Sequence, residues 1–220
     1  MGVYAPRERL RALEPLGIFT DDTGKHLGFS ETAGKKIHQF FIQHRIDVKK
    51  DFVVGISPSA GNKIKEWPEE RFAEVADYLI ETYRAKIVLI GGPDDREKVA
   101  KTKSHMKFGT QALEITDFNI DELKALIATL HLFIAVDTGP IYIAEAFGIP
   151  TIDIVGPMNE HEQPPQGSIH RNVLPPQRER PQLSILNARD FDRKEATRQT
   201  LSITAEAVIA ETDKLINDIL

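Results

Sequence analysis

The chain has 220 residues, enough for one α/β domain with a good core and an appendage, but short for two full domains. Charged residues make up 28% and the hydrophobic set 41%, which speaks against wholesale disorder and against a membrane protein. The net charge of -5 gives no global attraction to nucleic acid or to an anionic membrane, so no nucleic-acid partner is expected and membrane association is at most peripheral.

No cysteine is present, which excludes disulfides, a thiolate nucleophile and thiolate metal sites. No apolar run reaches the ~20 residues of a spanning helix, and Arg7 and Arg9 have no apolar stretch behind them of the kind a leader carries. Cytoplasmic residence is the resulting expectation.

Residues 1–50 contain no β-branched run followed by a Gly-rich turn, so they do not read as the opening of a Rossmann-type domain. Helices are expected over 7–16 and 31–44, the second through Ile37, Phe40 and Phe41, with a loop at 17–29, which makes this region a linker-like helical segment. From residue 51 apolar runs alternate with amphipathic stretches, the pattern of a parallel sheet covered on both faces. Strands are expected over 52–57, 86–90, 112–115, 132–136 and 151–155.

Between the first two, Phe72, Val75, Ala76, Leu79, Ile80 and Tyr83 recur at helical spacing behind Pro68, Glu69 and Glu70, a proline and two acids placed for a first turn. Further helices are expected over 94–104, 120–130 and 141–147. The stretch 157–181 is rich in proline and polar residues and is expected to be a long surface segment without regular structure. A closing helix over 204–219 presents Ala207, Val208, Ala210, Leu215 and Ile219, so the Rossmann-like domain is expected to span 51–220.

Three turns after strands carry candidate chemistry. In open α/β sheets ligands bind beyond the carboxyl ends of strands, where small residues let backbone N–H groups approach a phosphate. The first turn holds Ser57, Ser59, Ala60, Gly61 and, further on, Lys63 and Lys65, which suit an anionic ligand; a solvated loop with surface lysines accounts for the same residues. Its ending lacks the Gly-Lys-Ser/Thr of a P-loop.

The second, Val136-Asp137-Thr138-Gly139-Pro140, fits a capped helix start, and the same exposed N–H groups would hold a diphosphate. In the third, Gly91-Gly92-Pro93-Asp94-Asp95, the acids could accept from ribose hydroxyls or simply open a helix. The seven histidines show no ligand-like pair at helical spacing, so no metal site is expected, and no Gly-x-Ser-x-Gly marks a hydrolase nucleophile.

Taken in order, Gly55-Ile56-Ser57-Pro58-Ser59-Ala60, Lys65-Glu66-Trp67-Pro68-Glu69-Glu70-Arg71-Phe72, Ile87-Val88-Leu89-Ile90-Gly91-Gly92, Val136-Asp137-Thr138-Gly139-Pro140 and Gly148-Ile149-Pro150 before Val155-Gly156-Pro157 resemble the ADP-heptose:lipopolysaccharide heptosyltransferases, glycosyltransferase family 9. The resemblance runs from about residue 51 to 159, with 7–50 similar to the family's interdomain segment and 206–220 to its closing helix.

It implies the C-terminal half of a GT-B fold and transfer of a sugar from a nucleoside diphosphate sugar, ADP-heptose or similar, to a lipopolysaccharide-core or other glycan acceptor, with no cofactor and no required metal. By the same resemblance Lys65 would contact the phosphates, Asp137, Thr138 and Gly139 would line the donor site, and residues 93–95 would lie near the ribose or base. Tyr142 stands where the family usually has a histidine, and Ser57 where it often has another.

The family's N-terminal domain, with its acceptor site and presumed catalytic carboxylate, has no counterpart here, so the chain alone is not expected to transfer sugar. The other readings are a stand-alone nucleotide-sugar-binding module without catalysis and another GT-B-like enzyme such as a nucleotide-sugar epimerase.

Overall fold

The structure is a computed structural model, and it describes residues 4–185 and 191–219. Six strands, β1 (Val53–Ser57), β2 (Lys86–Ile90), β3 (Leu113–Ile115), β4 (Leu132–Val136), β5 (Thr151–Ile154) and β6 (His170–Val173), form one sheet in the order β3-β2-β1-β4-β5-β6 with every pairing parallel. The chain builds outward from β1 through β2 to β3, then returns to β4 on the other side of β1 and builds the opposite way. The order therefore reverses between β1 and β4, and at such a reversal the loops leaving two neighbouring strands diverge and open a crevice at their carboxyl ends.

Both faces are covered, as a parallel sheet requires. On one face Val54, Ile56, Leu89, Leu132, Ile134, Ile152 and Ile154 pack against α3 (Glu69–Tyr83) and α8 (Ala205–Ile219), through Phe72, Val75, Leu79, Val208 and Leu215. On the other, Val53, Val88, Ile90, Phe133 and Ala135 meet α2 (Glu31–Gln43), α5 (Ile120–Ile127) and α6 (Gly139–Ala146), through Ile37, Phe41, Leu126 and Ile141. At the centre of β1 a Cβ on Gly55 would fall 2.5 Å from Leu130 Cδ1 and 2.9 Å from Phe133 Cδ2, so only glycine lets that layer close onto the strand.

All five strands expected from the sequence agree with the structure to within one residue; the remaining helices are α1 (Ala5–Arg11), α4 (Arg96–His105) and α7 (Arg193–Ser202). The helix expected over 7–16 is split: α1 ends at Arg11, and Pro15, which has no N–H to continue it, sits at the start of a separate 3-10 turn, Glu14–Leu16, that Gly17 closes. The helix expected over 120–130 stops at Ile127.

Two expectations are corrected. The stretch 157–181 is not without regular structure: His170–Val173 is β6, the sheet's edge, whose sequence His-Arg-Asn-Val lacks an apolar run because only one face is deeply covered. α7 is a helix that the sequence does not announce, because its buried residues, Ala196, Gln199 and Thr200, give almost no hydrophobic periodicity; it starts on Asp192, whose side chain accepts from Lys194 N and Glu195 N. Leu220, assigned by resemblance to the closing helix, lies outside the described residues.

Candidate functional site

The turn leaving β1 is held by the C-terminal helices. Trp67 is fully buried, donates from Nε1 to the Ile203 carbonyl at 2.8 Å and packs edge-on against Phe72 with ring centroids 4.9 Å apart. Arg71 donates to the carbonyls of Leu201 (2.7 Å) and Ile203 (2.6 Å), and Thr200 Oγ1 donates to Ile64 O at 2.9 Å. Asn62 caps the 3-10 turn Lys63–Lys65 by accepting from Ile64 N. A loop that sequence alone leaves open to a flexible reading is therefore pinned on both sides, and Lys65 is aimed by that scaffold.

Lys65 Nζ reaches Asp137 Oδ2 at 2.9 Å. Asp137 directly follows β4 with a side chain only 3% exposed, and its other oxygen accepts a hydrogen bond from the Tyr142 hydroxyl, one turn into α6. Burial, and after it the Asp137 carboxylate, push the Tyr142 phenol above its ordinary value, so it serves as a neutral donor.

Thr138 is the N-cap residue of α6 but its side chain makes no capping bond, and a Cβ at Gly139 would meet no atom within 4 Å. The capped-helix explanation of Asp137-Thr138-Gly139-Pro140 thus does not account for Asp137, which is bound to Lys65 and Tyr142, nor does it give the Gly139 N–H a partner; Pro140 has no N–H, and Ile141 N donates to the Thr138 carbonyl at 3.2 Å.

Beside this ion pair lies a cleft of about 790 Å³ lined by Ser57, Ser59, Ala60 and Gly61 after β1, by Gly92, Pro93 and Asp94 after β2, and by Thr138 and Pro140 at the start of α6. Ile90, Ile115, Phe118 and Leu123 give it an apolar wall, and Lys63, Lys98 and Lys101 contribute cations, the last two paired with Glu66 and Glu69 at 2.9–3.7 Å.

Eight of the twelve site residues expected from the sequence line this cleft. Lys65, Asp137 and Tyr142 form a bonded group that adjoins it through Thr138, and Gly139 sits between two lining residues. Of the two acids after β2, Asp95 accepts from Gly92 N at 2.8 Å and holds the turn, which leaves Asp94 exposed in the cleft.

The structure adds residues the sequence did not flag. Glu145 of α6 pairs with Lys25 at 2.5 Å, and Lys25 lies over the Tyr142 ring, 5.7 Å from its centroid. This fastens the N-terminal segment to the same group. Asp153 of β5 is buried close by. An aspartate inside the otherwise apolar strand Thr-Ile-Asp-Ile was the available signal. Among the described residues no group of three or more His, Asp or Glu is placed to hold a metal ion.

The chain is 32% identical over 161 residues to lipopolysaccharide heptosyltransferase 3 of Escherichia coli K12, a match covering 70% of the chain and 44% of that protein. It is 27% identical over 119 residues to the lipopolysaccharide core heptosyltransferase OpsX of Haemophilus influenzae, covering 54% and 34%.

Among solved structures, a family 9 glycosyl transferase from Veillonella parvula superposes with a TM-score of 0.80 at 24% identity, covering 99% of this chain and 61% of that one. The E. coli heptosyltransferase WaaC, solved with ADP-2-deoxy-2-fluoro heptose, superposes with a TM-score of 0.59 at 17% identity, over 92% and 52%. At these identities the superpositions show the fold, one half of the GT-B architecture. The chain spans less than half the length of these curated relatives. The model of glycosyltransferase family 9 (heptosyltransferase) matches residues 7–190, and the chain belongs to that family.

Proposed function

We propose that this chain binds the nucleoside diphosphate sugar of a heptosyltransferase reaction, with ADP-heptose or a close analogue as donor. The observation that carries the reading is the meeting, at the reversal of strand order, of the uncapped N-terminus of α6 with the serine- and glycine-lined turn after β1. The base and ribose would occupy the cleft along Ile90, Ile115 and Phe118 with Asp94 at the hydroxyls, and the diphosphate would lie toward Thr138 and Gly139 within reach of Lys65.

In the transfer the bond from the sugar's anomeric carbon to the diphosphate oxygen breaks as the acceptor hydroxyl oxygen bonds to that carbon. Charge gathers on the departing diphosphate, where N–H dipoles and the Lys65 ammonium stabilise it. Tyr142 adds no positive charge, so the charge comes from lysines, Lys65 beside Thr138 and Lys63 in the cleft lining. Acceptor contacts and the general base are assigned to the half of the enzyme that the longer relatives possess. Family membership favours transfer over epimerisation.

Titration calorimetry of the chain with ADP, UDP and adenosine tests the reading. ADP is expected to bind more weakly than to a complete enzyme, since half a cleft buries only part of a ligand, yet more tightly than adenosine. Equal affinity for ADP and adenosine, or no binding of either, would overturn it.

A further inference from the structure

Asp153 lies in the middle of β5, completely buried, and neither carboxylate oxygen has a hydrogen-bond donor. Ile152 and Ile154 face the layer of α3 and α8, so strand alternation turns Asp153 to the opposite face, toward α6. Its partner in register on β6 is Asn172, whose Oδ1 is also buried without a donor.

Three acceptor atoms on two side chains paired in register are thus buried without a donor. Turning the Asn172 amide over does not help. Its Nδ2 donates to the Pro165 carbonyl at 3.3 Å, and a flip would set oxygen against oxygen there.

None of the polar groups around Asp153 donates to it. Lys65, from the turn after β1, is bonded to Asp137 at the end of β4; on α6, Tyr142 donates to Asp137, and Glu145 takes Lys25 of the N-terminal segment. His170 of β6 bonds Thr151 and is lowered to about 4 by burial and by Lys25, so it is neutral at physiological pH. A metal ion is disfavoured by the lack, among the described residues, of a suitable acidic cluster.

We propose that Asp153 carries a proton at neutral pH and donates it to Asn172 Oδ1, acting as a positioning residue that leaves Asp137 as the one carboxylate competing for Lys65. An ionised Asp153 would be a second buried anion drawing the same ammonium inward, away from a diphosphate; this last step rests on the donor-site reading above. Burial first, then the Asp137 carboxylate, push the Asp153 carboxyl well above the usual range, with Lys65 opposing, which agrees with the hydrogen-bond argument.

The test uses Asp153→Asn, whose amide presents the same donor without titrating. The infrared difference spectrum of parent minus variant at neutral pH should show the carbonyl stretch of a protonated carboxylic acid; loss of an ionised-carboxylate band instead overturns the proposal. Because the folded pKa exceeds the unfolded value of about 3.9, the parent's stability falls as pH rises from there toward the folded pKa. The variant's Tm minus the parent's should therefore grow with pH. A variant that fails to fold, or is less stable by the same margin at every pH, refutes the protonated acid.

ADP affinity of the parent should weaken over the pH range in which the acid band fades and hold steady while the band persists, with no matching change in the variant. An equal fall in both proteins removes the positioning role. Absence of ADP binding alongside a persistent acid band would instead sink the donor-site reading and leave the buried proton standing.

Discussion

Replacing Lys65 with alanine separates a phosphate cradle from a merely structural ion pair. In the free protein Nζ sits 2.9 Å from Asp137 Oδ2, with the lysine side chain 16% exposed and the aspartate 3%. Removing the ammonium leaves a buried carboxylate with Tyr142 as its remaining side-chain partner, a change that in buried pairs costs about 3–5 kcal/mol of stability. Partial exposure of the lysine places the expected loss at the lower end of that range.

The ligand effect has a different size and selectivity. A hydrogen bond from a charged group contributes about 1.5–3 kcal/mol, and about 1.4 kcal/mol corresponds to a tenfold change in Kd. Lys65→Ala should therefore weaken ADP by roughly 10- to 100-fold while leaving adenosine nearly unchanged. Calorimetry of both proteins against both ligands, at one ionic strength and well below the variant's Tm, measures this directly. Lys65→Met, which keeps more of the stem's packing, controls for lost contacts. Equal losses for ADP and adenosine would refute the reasoning, since base recognition does not involve this ammonium.

Trp67→Ala should lower stability by about 3–5 kcal/mol in chemical denaturation, because a fully buried indole and its bond to Ile203 O are lost together; a shift below about 1 kcal/mol would contradict its role as anchor. Gly55→Ala should cost about 1–3 kcal/mol, since the new Cβ meets Leu130 and Phe133 at 2.5 and 2.9 Å, and an unchanged denaturation midpoint would show that the layer relaxes freely. The purified 220-residue chain should bind donor without transferring sugar, because acceptor contacts and the general base are assigned elsewhere. Turnover above background with a sugar-nucleotide donor and a lipopolysaccharide-core acceptor would show that assignment to be mistaken.

The parts of the fold legible in the sequence are those where burial writes a periodic signal. β1, β2, β4 and β5 are buried on both faces and read as short apolar runs, and α3 lays an apolar stripe from Phe72 to Tyr83 on the sheet. β6 and α7 escaped because their fixing interactions are polar or edge-specific. β6 pairs through backbone with β5, and α7 is seated by Gln199 on the Arg180 carbonyl and by Thr200 on Ile64 O. Neither leaves a hydrophobic pattern, yet together with the Trp67 contacts α7 fixes the loop that carries Lys65.

The site divides along a similar line. Residues whose chemistry depends on chain position, the glycines and serines after β1 and the Asp-Thr-Gly-Pro before α6, could be picked out because strand ends in a parallel sheet point the same way. Pairings across the fold left no local mark: Lys65 meets Asp137 from 72 residues away, and Lys25 meets Glu145 from 120. Tyr142 shows the consequence. In sequence it is a phenol that the family resemblance sets where a histidine would be expected, whereas in the structure it donates to Asp137, the carboxylate that pairs with Lys65. A histidine there could add charge toward a phosphate; the phenol instead keeps Asp137 in place. With a neutral phenol beside Asp137, Lys65 is the cation of this bonded group, and its removal should therefore weaken a diphosphate more than a nucleoside.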